Sequence, residues 1–484
     1  MRRFWILMLI LGLAACGNPS AGSPAAGPTA LPTCGDNICA SGETSATCPQ
    51  DCPVQGFSGK VQITYVNSNG IGKIAVLVAS PKSARYTEGA GVVVIVSPFF
   101  TDPGGFQTDP NLTSIGLIQV SYLWPGLKDS KRGVQSEGTF DYGGEQSTQV
   151  LRDVTRFAAG RIPDANGRGI SALTSVPPLT DEVGLYAFSD AGIAAINLFS
   201  LYSDQLAGVQ YYIGRETPTL DTLSCLEAGY FDDSGQPAEN PFYHYPAGYS
   251  PAMISLNYAN LRWDPTYSDA HTGSLGRPYL DLDGSGSFTS GDYPFGGSVP
   301  VMFGKRYYSV ALTQALLNNG VLSLDDWPAD LATPTEAAQV WPFRQSTPDR
   351  FVSMRTLNPN LDIKVMLVFA IDDHAQAAPD KPHIHQVFQG FRFNIGLWVR
   401  LNPDRAYVQS LAPKAGTEFP DNPVNTQPED WTKVAAYAYP GNSAAGRLVP
   451  LAAVAEMADR AHTGRWDENI GQPFYTYTPP TPQP

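Results

Sequence analysis

In the string VGLYAFSDAGIAAINLF, Ser189 directly follows an apolar run of strand character and precedes an apolar run of helix character opened by small residues. A serine at such a junction suits nucleophilic attack on a carbonyl. Small neighbours allow a sharp turn that exposes the hydroxyl, and the helix N-terminus behind it supplies positive potential. Ala187 and Ala191 flank the serine and Gly192 follows. The same position also suits a plain helix N-cap. A hydroxyl becomes a good nucleophile only when a base takes its proton and a third group orients the base. The strand-like VMLVFAI ends in Asp372-Asp373-His374, and His383 and His385 follow in DDHAQAAPDKPHIHQ. Asp373 is the candidate acid. His383, at the start of the next helix, is the candidate base, with His374 and His385 as alternatives. Two aspartates at a strand end can instead cap the next turn. Asp372, Asp373, His374, His383 and His385 also form a possible metal-binding set.

A second chemistry is ion binding. Asp281-Leu282-Asp283-Gly284-Ser285-Gly286-Ser287-Phe288-Thr289-Ser290-Gly291-Asp292 resembles the EF-hand-type loop of dockerin repeats. The resemblance implies oxygen ligands from Asp281, Asp283, Ser285 and Asp292 and a carbonyl from Ser287. Gly286 would allow the turn and Phe288 would pack inward. A single loop ending in aspartate implies a structural Ca2+ and no paired cohesin partner.

These groups need a scaffold. VQITYV and IAVLVAS, separated by Asn-Ser-Asn-Gly, read as an antiparallel hairpin at a sheet edge. GVVVIVS, GLIQVSYL, VGLYAFS, GVQYYI and VMLVFAI are continuous apolar runs, as expected of strands covered on both faces. GEQSTQVLRDVTRFAAG and AGIAAINLFSLYSDQ between them have helix character. The alternation predicts an α/β fold with a mostly parallel central sheet flanked by helices and ligands at the carboxyl ends of the strands. Residues from about 215 to 345, rich in Tyr, Pro and Gly, are too long for one connection and read as a cap insertion over the strand ends.

From about residue 59 to 410 the chain resembles the α/β-hydrolase family, and within it the α-amino-acid esterase and X-prolyl dipeptidyl peptidase type. Arg132-Gly133-Val134-Gln135-Ser136-Glu137-Gly138-Thr139-Phe140-Asp141 looks like that type's R-G-x-G-x-S-x-G-x-F loop, and Ser189 stands where its nucleophile stands. The resemblance implies oxyanion donors at Phe99 or Phe100 and at the Asp190 amide, and an acid near Asp373. It departs after the last strand, where GLWVRLNPDRAYV offers Asn402 and Asp404 and no histidine. Two readings stand. One is a serine hydrolase that cleaves a small ester or peptide bond through an acyl-enzyme on Ser189. The other is a ligand-binding lipoprotein on a degenerate form of the same fold.

The start of the chain speaks to location. MRRFWILMLILGLAA is signal-peptide-like, and Leu13-Ala14-Ala15-Cys16 resembles a bacterial lipobox, which implies lipidation of Cys16. Residues 17–33 are small residues and proline with one leucine, a flexible tether. Cys34, Cys39, Cys48 and Cys52, in residues 34–53, resemble a short disulfide-rich module of secreted proteins. Two disulfides are expected in an exported chain, with a zinc site as the rival. Cys225 is left as a buried free thiol. The main domain is read as residues 59–484. A net charge of −14 argues against nucleic acid as a partner, and no later segment is apolar enough to span a membrane. The expected place is the cell envelope, lipid-anchored on the outer side of the cytoplasmic membrane or in the outer membrane.

Overall fold

The computed structural model describes residues 56–478, except for 101, 220–226, 232–236, 244–255, 269–272, 274, 296–298, 375, 377, 379, 413–418, 420–433, 435, 442, 444 and 470. Cys16, expected to be lipidated, residues 17–33, the four clustered cysteines and Cys225 lie outside the described residues.

Eight strands form the main sheet: β1 (Val61–Ser68), β2 (Gly72–Ala79), β3 (Ala90–Val96), β4 (Ile118–Tyr122), β5 (Pro178–Phe188), β6 (Val209–Arg215), β7 (Lys364–Val368) and β8 (Val399–Leu401). Their order across the sheet is 1-2-4-3-5-6-7-8. β2 runs antiparallel to both neighbours, and every other pairing is parallel. The hairpin expected at one edge is therefore present, with Val61 opposite Ala79 and Ser68 opposite Gly72.

The central strands show why the sheet is sandwiched. β3 reads AGVVVIV and is buried at every position. Val92, Val94 and Val96 point into one apolar cluster, while Val93 and Ile95 point into the other. Successive side chains of a strand alternate faces, so a β-branched run with no polar position can persist only where both faces are covered. The first cluster is filled by α1 (Glu145–Ala158), α2 (Ala191–Tyr202), α3 (Pro348–Leu357) and α4 (Pro382–Phe388). The second is filled by α5 (Arg405–Leu411) and α6 (Val449–Thr463). α1 carries its apolar residues Val150, Leu151, Val154 and Phe157 at helical spacing and turns them to the sheet. α2 is buried along nearly its whole length, which suits its apolar composition on every side. This is an α/β architecture, a mostly parallel central sheet between two layers of helices, as the alternation of runs in the sequence implies.

The long connection between β6 and β7 leaves the sheet. It carries a three-stranded antiparallel sheet (Leu261–Ser268, Leu275–Leu280, Tyr293–Pro294) and helices Val310–Asn318 and Pro334–Val340, with an apolar cluster of its own that includes Leu261, Leu280, Phe295, Tyr308 and Leu316. Residues 55–484 form one compact unit. Among the described residues no helix is long and apolar enough to cross a membrane.

Candidate active site

Ser189 is the first residue after β5, and its φ of 57° lies in the left-handed region. That conformation costs a non-glycine residue on the order of 1–3 kcal/mol and persists only where its surroundings impose it. Here the surroundings are hydrogen bonds on both sides. The Ser189 N–H donates to the Arg215 carbonyl at the end of β6 (2.8 Å), and the Ser189 carbonyl accepts from Gly192 N–H (3.0 Å). Gly192 has a packing reason to lack a side chain, since a Cβ there would stand 2.2 Å from Thr217 Oγ1 and Cγ2. The small residues around the serine thus let the loop after β6 close in on the first turn of α2.

That loop brings a carboxylate. Glu216 follows β6 directly, also at positive φ (47°), and its N–H donates to the Val368 carbonyl at the end of β7 (2.8 Å). His374 lies a few residues beyond β7. Its Nδ1 is 2.6 Å from Glu216 Oε2 and its Nε2 is 2.9 Å from Ser189 Oγ. A carboxylate can only accept, so Nδ1 carries the ring proton and Nε2 is left as acceptor for the serine hydroxyl. The imidazole also lies 4.7 Å from the Phe188 ring, and the Tyr439 hydroxyl donates to the other Glu216 oxygen (3.3 Å). Partial burial pulls the His374 pKa down. The Glu216 hydrogen bond and charge, reinforced by the nearby Asp373 charge, outweigh this and raise it above the ordinary histidine value.

The structure thus brings His374, and not His383, to Ser189, and Glu216, and not Asp373, to His374. α4 is buried along its whole length, so it turns His383 inward to Asp373 Oδ2 (2.9 Å), with both side chains fully buried. Burial alone would raise the Asp373 pKa, but the facing His383, with Lys381 and His374 nearby, holds it well below the usual carboxylate range. His385 is tied to Gln389 (2.9 Å), and burial lowers its pKa to about 3, which keeps the ring neutral. Asp372 accepts from Gly441 N–H (2.9 Å). Of the metal-binding set considered from the sequence, only Asp373 and His374 share a compact cluster, and its third member is Glu216. Glu216 escaped sequence reasoning because the stretch from 215 onward reads as the start of the insertion. The available signal was a carboxylate immediately after the strand GVQYYIGR, the neighbour of the strand that presents the serine.

The amides expected as oxyanion donors at Phe99 and Phe100 are engaged. Phe99 and Phe100 follow β3, and both of their N–H groups donate to Oδ2 of Asp190, that of Phe100 at 2.8 Å. Burial pushes the Asp190 carboxyl up to about 6, against the downward pull of these donors. Ser136 Oγ ties β2 to the Leu123 carbonyl, and Asp141 caps the N-terminus of α1 through the N–H groups of Gly144, Gln146 and Ser147. A cavity of about 220 Å³ is lined by Pro98, Tyr186, Phe188 and Arg215 among others.

In the insertion, the carboxylates of Asp281, Asp283 and Asp292 lie within 4.8 Å of one another. Asp281 Oδ2 accepts from Gly286 N–H (3.0 Å), Asp283 Oδ1 from Ser285 N–H (2.8 Å) and Asp292 Oδ1 from Leu282 N–H (2.8 Å). Ser285 Oγ donates to the Ser287 carbonyl (2.9 Å), and Phe288 packs edge-on against Tyr279. Asp281 Oδ1 is buried and has no hydrogen-bond partner. An orphaned anionic oxygen beside two further carboxylates fits a divalent cation.

No protein-family profile matches the chain, and no curated protein matches it. Among solved structures it is similar to a lidless α/β serine hydrolase of Xanthomonas campestris, at 14% identity and a TM-score of 0.22, over 34% of this chain and 64% of that one. It is also similar to a dienelactone hydrolase of Anabaena variabilis (15%, 0.22, over 33% and 65%) and to an esterase of the fungus Rhizomucor miehei (9%, 0.34, over 70% and 73%). The chain thus spans somewhat under two thirds of the length of the first two. At such identities the likeness concerns the fold.

Proposed function

We propose that this protein is a serine hydrolase that cleaves small esters or amides through an acyl-enzyme on Ser189. The observation that carries the reading is the unbroken relay from Ser189 Oγ through His374 to Glu216, at 2.9 and 2.6 Å. Ser189 Oγ attacks the substrate carbonyl carbon and its proton passes to His374 Nε2. The leaving alcohol or amine takes that proton as the acyl–oxygen bond replaces the bond it had. Water then attacks the acyl-serine, giving its proton to His374, and the acyl–Oγ bond breaks as His374 returns that proton to Ser189 Oγ, which releases the carboxylic acid. Glu216 keeps the Nδ1 proton in place and stabilises the imidazolium formed in each half of the cycle. Asp373 and His383 form a buried pair that contributes to folding and takes no part in the relay. A histidine within reach of the serine favours the enzyme over the degenerate binding protein.

The cavity beside Phe188 and its modest size support a small substrate. Asp281, Asp283, Ser285, the Ser287 carbonyl and Asp292 would hold a Ca2+ ion that staples the cap sheet. With the lipidated Cys16 and the tether that follows it, the enzyme would work from the outer side of a bacterial membrane, held by its lipid anchor, with no nucleic-acid partner. The test is labelling of the anchor-free protein by a fluorophosphonate probe. Labelling that disappears in Ser189→Ala supports an activated serine, and wild-type protein that stays unlabelled while folded refutes it.

A further inference from the structure

The residue after Ser189 carries a carboxylate with no task in the relay. Asp190 is at the N-cap of α2, where an aspartate ordinarily accepts from the N–H groups of the first helical turn. It does not do so, as its side chain makes no capping hydrogen bond. Instead the carboxylate reaches across to the end of β3 and accepts from the N–H groups of Phe99 and Phe100. It is almost completely enclosed, at 5% exposure.

Those two amides, in the loop after β3, are ones that a tetrahedral intermediate on Ser189 needs, together with the amide of the residue after the nucleophile. A carboxylate oxygen matches the developing oxyanion in charge and in its preference for N–H donors, and being part of the same chain it is always present. We propose that Asp190 is a built-in occupant of the oxyanion site, so that a substrate carbonyl is activated only when this side chain leaves the Phe99 and Phe100 amides. The inference rests on the serine-hydrolase reading above. It gives the site a resting state in which the serine and base are aligned while the electrostatic half of the machinery is closed. Ligands that bring an anionic oxygen to Ser189 compete directly with Asp190, whereas ligands that touch only the cavity do not.

The experiment compares fluorophosphonate labelling rates of wild type, Asp190→Ala and Asp190→Asn at one pH, with melting temperatures recorded for all three. Removing a single oxyanion donor from a hydrolase costs about 10²–10³-fold, so vacating donors that are already engaged is expected to speed labelling roughly tenfold or more in Asp190→Ala. Asp190→Asn, isosteric but uncharged, is expected to fall in between, and it preserves the test if the alanine variant does not fold. The affinity of an alkyl boronic acid, whose serine adduct places an anionic oxygen on the same donors, should rise in the same order. Equal or slower labelling of folded variants, with labelling of wild type intact, overturns the occupant role and leaves the hydrolase standing. Absence of labelling in all three folded proteins overturns both.

Discussion

Replacing His374 and His383 one at a time separates chemistry from architecture. His374→Ala removes the acceptor 2.9 Å from Ser189 Oγ, on a ring whose side chain is 44% exposed. Loss of a positioned general base costs about 10²–10⁴-fold, roughly 3–5.5 kcal/mol of barrier, with little change in stability because a surface ring is lost. His383→Ala removes a fully buried ring and leaves the equally buried Asp373 carboxylate without it. Breaking such a pair costs on the order of 3–5 kcal/mol of folding free energy. At roughly 2.1 cal/mol/K per residue over the unit spanning 55–484, that lowers Tm by about 3–6 °C. The assay is the fluorophosphonate labelling rate per folded molecule, read well below the melting transition, beside calorimetric Tm. The expected pattern is a crossed one: His374→Ala slow and stable, His383→Ala fast and unstable. A His383→Ala protein that is folded at the assay temperature yet labels as slowly as His374→Ala would refute the assignment of the base.

Other outcomes follow from the same geometry. Because the base must be neutral to take the serine proton and its pKa is raised, activity should fall as pH drops through a value above the ordinary histidine pKa. Glu216→Gln should move that limb to lower pH and lower the plateau, and an unmoved limb in the pH–rate profile would count against Glu216 as the acid. Ca2+ at about 100 times its Kd should stabilise the protein by about 2.7 kcal/mol relative to chelator, and Asp281→Asn should abolish the shift; identical Tm with and without chelator would dismiss the ion. Gly192→Val should destabilise the protein and abolish labelling, because its side chain meets Thr217, next to Glu216; wild-type labelling by this variant would show that the close approach is not needed.

Much of this was legible in the sequence for a physical reason. Runs such as GVVVIVS and AGIAAINLF admit one environment each, a strand covered on both faces and a buried helix, so their order fixes the alternation and places Ser189 at a strand end. The choice among His374, His383 and His385 was not legible. It depends on α4 being buried on every side, which hides both of its histidines, and seven residues are too few for periodicity to reveal that. Glu216 was missed for a different reason. A strand end and the start of an insertion share the same residue, and composition reports only the insertion.

The place where the insertion begins has its own consequence. The chain leaves the main sheet at Glu216 and returns through β7 to His374, so Glu216 is the root of the insertion and His374 stands just past its far end. Two backbone hydrogen bonds, from Ser189 N–H to Arg215 and from Glu216 N–H to Val368, clamp that root to the strands on either side. The cap is therefore a graft with two sutures. The stretch between the loop after Thr217 and the approach to α3, whose Phe351 and Met354 belong to the main core, could be exchanged for another segment provided the sutures hold, while any strain on its root will be felt first by the carboxylate beside the imidazole.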